Sequence, residues 1–221
     1  MVPSHAAAAA LLLSLSPTIW LRRHASAVAD VASFLAVAAV REGHRVDRPV
    51  VEAAALLHDL DKALPADDPV RRLGHGHAGA QWLLARGYGE LAPAVDSHPV
   101  GRLTDQPYEE WIKSTTIEQR IVAYADKRAQ QRIVTLDQRF GRWDRRHPGM
   151  TDRLGLARER AEQLETEICA LAGASPLDVR RNPWATAALR DAALRDAALR
   201  DAALHDSPAR QPADDGVAAP G

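Results

Sequence analysis

Residues Val50–Lys62 read VVEAAALLHDLDK, and the reading of this stretch decides the fold. Val50, Val51, Ala53, Ala54, Ala55, Leu56 and Leu57 are apolar enough to bury the segment as a core helix. Pro49 opens it, since proline at the first helical position gives up an N–H that has no partner there anyway. The apolar run ends in an imidazole and a carboxylate, His58 and Asp59. Burying an unpaired carboxylate is expensive, so a helix that holds one there needs a pairing or coordinating partner for it. Lys62 follows His58 by four residues and Asp59 by three, which on a helix places it beside both. A metal with a cation one turn away makes an anion site, and phosphate is the obvious anion.

Upstream, Ala6–Leu15 reads as a first buried helix, and residues 18–41 as a second. The second places Trp20, Leu21, Val28, Val31, Leu35 and Ala38 at helical steps, and His24 lies on the same inward stripe. Gly43 stops it. The helix carrying His58-Asp59 then runs to about Leu64-Pro65. A polar connection over 66–76 leads to a helix starting at His75, HGHAGAQWLLARGY, in which Gly79 and Ala80 permit close approach. Short helices are expected over 90–97 and 106–113, with His98 just before Pro99 and a loop over 99–105. Thr115-Thr116-Ile117-Glu118 is a capping-box pattern opening one long helix to about Phe140. Asp126 falls on its apolar stripe with Val122, Ala129, Ile133, Leu136 and Phe140. A further core helix starts at Thr151 and stops at Gly173. No β-alternating run stands out, so the class is all-α.

The C-terminal part changes character. Ala187–Asp206 repeats A-A-L-R-D four times, the last copy reading A-A-L-H-D. Leucines every five residues rotate by about 140° per step, so they spiral around a helix and share no face. A solvated, fraying helix is expected, followed by a disordered Ser207–Gly221. The division is therefore a helical domain over 1–174, with its ligand-bearing core at about 17–140, and a low-complexity tail over 175–221. A net charge of −1 argues against a broad nucleic-acid surface. The single cysteine, Cys169, rules out a disulfide framework and a cysteine-rich zinc module. The Ala6–Leu15 run is too short to span a bilayer, and no other stretch reads as approaching that length. A cytoplasmic protein without membrane partners is expected.

His24, His58, Asp59 and Asp126 thus lie on buried faces of three helices. Their mix of imidazole and carboxylate suits a first-row divalent metal better than calcium. The order H…HD…D, with the pair in LLHDLDK and the last aspartate in IVAYADK, resembles the HD superfamily of metal-dependent phosphohydrolases. The nearest likeness is to the branch with an HDIG-type motif. The resemblance covers about Pro17 to Phe140, and the lead-in LRRHASAVADVA fits with His24 as first ligand. It departs at Asp61, where the HDIG pattern has glycine; a solvated carboxylate there adds negative charge beside the expected phosphate path.

The resemblance implies an HD-domain helical bundle in which His24, His58, Asp59 and Asp126 bind one divalent ion. It also implies a second ion on two intervening histidines. His75, four residues before Gly79-Ala80, fits better than its competitor His77, and His98 in SHPVGR fits the next position. The expected cofactor is thus one or two divalent ions (Mn, Fe, Co, Ni, Mg or Zn). Asp59 and Lys62 are the expected catalytic residues; Lys62 and Arg102 are expected to bind substrate, with Lys127 as a possible helper. The implied activity is hydrolysis of a phosphate ester of a nucleotide or related small metabolite. An HD-fold di-iron oxygenase and a non-enzymatic metal-binding regulatory module are the alternatives.

Overall fold

The computed structural model describes the backbone of residues 1–205 and the side chains of residues 1–199. All regular structure in that range is helical apart from one isolated bridge between Ala129 and Ile133, in keeping with the expected class. Helices α1 (His5–Ser14), α2 (Ile19–Arg41) and α3 (Arg48–Leu57) come first. Helices α4 (His77–Leu84), α5 (Ala92–Ser97) and α6 (Tyr108–Ser114) follow, then α7 (Ile117–Arg128) and α8 (Leu136–Arg146). Helices α9 (Thr151–Leu171) and α10 (Ala185–His205) complete the described chain.

The centre is α2 packed on α3 and α7. Small residues let these axes approach closely: Ala25, Ala29, Ala32 and Ala36 of α2 and Ala53, Ala54 and Ala55 of α3 are all buried. Leu35, Leu56 and Leu57 fill the space between them, each worth about 1.5–3 kcal/mol on full burial. Thr18 caps α2 by accepting from Leu21 N at 3.2 Å, and such a cap contributes about 1 kcal/mol. By length and composition α2 could cross a membrane, contrary to the expectation that no stretch approaches that length. Its apolar window is 72% buried, which is the position of a core helix.

The long helix expected from 115 to about 140 is two helices. The capping box that opens α7 is Thr116 with Gln119, one residue on from the expected Thr115 with Glu118. Ala129 is extended, and Val134 N bonds back to Arg128 O at 2.8 Å. A second capping box, Thr135 with Gln138, then starts α8. Ile133, Val134 and Thr135 are β-branched and resist helix, while Thr-x-x-Gln supplies a new start. Smaller differences lie nearby. Past Leu57 the chain tightens to a 3-10 turn over Leu60–Ala63, another such turn occupies Val100–Thr104 where a loop was expected, and α4 starts at His77, leaving His75 before it.

The segment set apart as a tail also differs. Ala185, Leu189 and Ala192, at helical spacing, are buried where α10 packs on α1 and α2. The leucines alone do not show this face, because alanines make up most of it. Leu194 and Leu199 are exposed, as their spiral requires. Asp30 of α2, fully buried, anchors the junction: it accepts from Trp184 N and Ala185 N at 3.1 Å and from Arg181 Nη2 at 2.7 Å. The His5 ring stacks on Trp184 at 3.9 Å. The expectation for Ser207–Gly221 lies outside the described residues.

Candidate metal centre

Each histidine of the expected set is oriented by its Nδ1. In α2, His24 Nδ1 donates to Gln130 O at 2.8 Å, the carbonyl delivered by the break between α7 and α8. His58, at the C-terminal cap of α3, donates to Ala55 O at 2.8 Å. His98, at the cap of α5, donates to Val95 O at 2.6 Å. A carbonyl oxygen can only accept, so the proton sits on Nδ1 in all three and Nε2 presents a lone pair. His75 Nδ1 lies 2.9 Å from Asp61 Oδ2, which orients it in the same sense.

The four Nε2 atoms converge on Asp59. His24 and His58 lie 3.4 Å from Oδ2 and 3.2 Å from each other. His75 and His98 lie 3.3 and 3.4 Å from Oδ1 and 3.2 Å from each other. Asp126 Oδ1 adds a second carboxylate on the first side, 3.3 Å from His24 and 3.7 Å from His58. Asp59 Oδ1 is buried and has no hydrogen-bond partner among the described residues. Lone pairs facing each other across 3.2 Å, beside an orphaned carboxylate oxygen, fit a cation held between them. His24, His58 and Asp59 form one group that could hold a metal, and Asp59, His75 and His98 another.

The electrostatics agree. Burial resists ionisation of Asp59 and Asp126, but His58 beside the first, and Lys127 and Arg139 beside the second, keep both well below the usual carboxylate range. Burial would lower His24, yet Asp126 and Asp59 raise it to about 9, a measure of how strongly the two carboxylates favour a positive charge at this position. His98 is pushed down to about 4 by burial, which Asp59 only partly offsets, so it stays neutral and able to ligate.

Three expectations from sequence need correction. Asp61 is not solvated: it is buried and accepts from His75 and from Gly76 N at 3.0 Å, so the departure from HDIG glycine is a carboxylate that orients a histidine. Gly76 is required here, with φ of 82° and an added Cβ 2.6 Å from Pro99 Cγ. Lys127 is fully buried, its Nζ on Asp126 Oδ2 at 3.1 Å and on the His98 carbonyl, and it does not line the cavity over the cluster. Arg102 does not line the cavity over the cluster; Asp96 and Asp105 hold its guanidinium at 2.9 and 3.2 Å. His77, the competitor to His75, pairs with Asp96 and lies outside the cluster.

That cavity has a volume of about 350 Å³. His24, Asp59, His75 and Asp126 form its floor, with Lys62 at the edge. Lys62 Nζ contacts Asp59 Oδ2 at 2.7 Å. The rest of the lining includes Trp20, the 99–101 segment, and Arg139, Arg142, Trp143 and Arg146 of α8. Trp20 reads in the sequence only as an apolar-stripe position of the second helix, and the four α8 residues do not stand out there at all. Reading α8 as a continuation of α7 hid them, although the spacing of Arg139, Arg142 and Arg146 by three and four marks one helix face.

Residues 23–130 match the family model of the HD domain, a span that runs from just before His24 to just after Asp126. Residues 23–130 are therefore an HD domain, the domain of a superfamily of metal-dependent hydrolases. No curated protein and no solved structure matches the chain.

Proposed function

We propose that this protein is a cytoplasmic metal-dependent phosphohydrolase that cleaves a phosphate ester of a nucleotide or related small metabolite. The observation that carries the reading is the convergence of four Nε2 lone pairs on the two oxygens of one buried aspartate, with Lys62 at the cavity edge. His24, His58, Asp59 and Asp126 would hold one divalent ion, and Asp59, His75 and His98 a second, Asp59 serving both. Bound divalent ions would supply Lewis acidity, lowering the pKa of water near them and polarising a phosphoryl oxygen. The chain's own groups do the rest. Main-chain carbonyls and Asp61 keep each histidine in the ligating tautomer. Arg139 and Lys127 hold Asp126 ionised and in place. Lys62 is partly exposed and can turn from Asp59 to phosphoryl oxygens, neutralising their charge. Trp20 and Trp143 provide aromatic faces for a flat ring.

The test is a screen of phosphorylated metabolites with Mn, Co, Ni, Mg and Fe supplied in turn, following phosphate release. Metal-dependent release that disappears in Asp59→Ala is expected. Bound iron with oxygen uptake and no phosphate release would replace this reading with the oxygenase. Metal binding without turnover of either kind would leave a regulatory module.

A further inference from the structure

The cations lining the cavity outnumber the carboxylates that could neutralise them. Asp59 is matched by Lys62 at 2.7 Å, and Asp126 by Arg139 at 3.0 Å with Lys127 behind it. Arg142 and Arg146, also on the wall, have no acidic partner among the described residues. Arg142 bonds only the neutral Gln130 Oε1, at 2.7 Å. Arg146 makes no hydrogen bond or ion pair there. Arg139 Nε is buried without a partner, so a further donor beside the cavity is unused. Both Arg142 and Arg146 are exposed and four residues apart, so they follow one another along the α8 face that leads away from the metal-ligand cluster.

We propose that the substrate carries at least two linked phosphate groups, a diphosphate or longer phosphoanhydride chain, with the group beyond the one at the cluster bound by Arg142 and Arg146. This rests on the phosphohydrolase reading for the reaction. The wall itself is an independent observation, lying on α8 outside the segment that matches the family model. A single phosphate at the cluster engages Lys62 and leaves two guanidinium forks at the mouth with nothing to bind. Arg is suited to this position because its fork meets phosphate oxygens bidentately. A neutral or monophosphorylated metabolite gives these residues no task.

The experiment compares inorganic phosphate, pyrophosphate and tripolyphosphate binding to the metal-loaded protein, read by calorimetry and by quenching of tryptophan fluorescence. Wild type is expected to prefer pyrophosphate over phosphate by about tenfold or more, the scale of one or two charge-assisted hydrogen bonds. In the double variant Arg142→Ala/Arg146→Ala that preference should collapse towards the value the metal ions alone give. Both side chains are exposed and alanine is a strong helix former, so folding is retained, which circular dichroism checks. The control Arg22→Ala/Arg23→Ala, on α2 and outside this cavity, should bind like wild type. An undiminished pyrophosphate preference in the α8 variant overturns the proposal. Hydrolysis of mono- and diphosphorylated metabolites then separates the two claims. Cleavage of both at equal kcat/KM sinks this inference and leaves the phosphohydrolase reading. An arginine-dependent pyrophosphate preference with no cleavage of any phosphate ester sinks that reading and leaves an anion site.

Discussion

The two oxygens of Asp59 face unlike surroundings. On the Oδ2 side, His24 and His58 are buried, and main-chain carbonyls of Gln130 and Ala55 hold their Nδ1 atoms. On the Oδ1 side, His98 is equally buried and held by Val95 O, but the His75 side chain is 40% exposed and held by the carboxylate of Asp61. A backbone acceptor belongs to the fold and no side-chain substitution removes it. A carboxylate acceptor is one residue, and one substitution deletes it. The Oδ2 side is therefore built wholly into the packing of α2, α3 and α7, whereas on the Oδ1 side only His98 is held by the fold and His75 depends on the single carboxylate of Asp61. That difference makes the two proposed ion positions separable.

The largest expected effect removes the group they share. Asp59→Ala should lower bound metal from about two ions per chain to nearly none, since it takes the one carboxylate that both positions share. Metal analysis of the purified variant decides; one retained ion would show that Asp59 does not bridge. Next, His98→Ala should bind about one ion and lose activity by a large factor, because half of the charge that activates water and clamps the phosphoryl group is gone. His24→Ala should also bind about one ion, on the opposite side. Wild-type metal content in His98→Ala would reduce the centre to a mononuclear one.

The four polar residues His24, His58, Asp59 and Asp126, which the fold brings together, were legible in the sequence, because each lies on an apolar stripe or at the end of one and burial forces such groups to find partners; His75 and His98 were reached only through the resemblance to the family. His24 among Val28 and Val31, and Asp126 beside Val122, are the clearest cases. What supports and surrounds them was not legible. The partners of Asp61 and Lys127 are set by tertiary packing, and a charged residue beside a motif looks the same in sequence whether it faces water or a histidine. Arg102 was expected to bind substrate as a cation, yet Asp96 and Asp105 hold its guanidinium, and it does not line the cavity. The cavity wall was lost with the break after Arg128. The packing of α10 was lost because its buried face is made of Ala185, Leu189 and Ala192, not of leucines in register.

The asymmetry sharpens on Asp61. Asp61→Asn keeps the size and an acceptor for Gly76 N but removes the charge that fixes His75. Metal affinity on the Oδ1 side should fall by about 10–100-fold, the usual cost of losing a partner behind a ligating histidine, while the Oδ2 side is unchanged. Titration with a divalent ion should turn from two similar steps into one tight and one weak step. Equal weakening of both steps would mean that the sides are not independent.

The smallest effect is on the stability of the protein with its metals chelated. Burial resists ionisation of Asp61, but His75 and Gly76 N–H hold its carboxyl below the usual range in the folded chain. A carboxyl with a depressed folded value stabilises the fold above its unfolded value of about 3.9, and that contribution is lost as pH falls through the folded value. Because His75 is partly exposed, solvent screens the pair, and the contribution is about 1 kcal/mol at neutral pH. Wild type should therefore unfold at higher urea than Asp61→Asn at pH 7, with the gap steady down to about pH 4 and closing below it. No other change is expected in the slope of the unfolding curve, since the surface exposed on unfolding is the same. A gap that widens towards acid would place the stabilising interaction on a protonated Asp61, and His75 would then be held by a neutral carboxyl that donates to it rather than by a carboxylate that accepts.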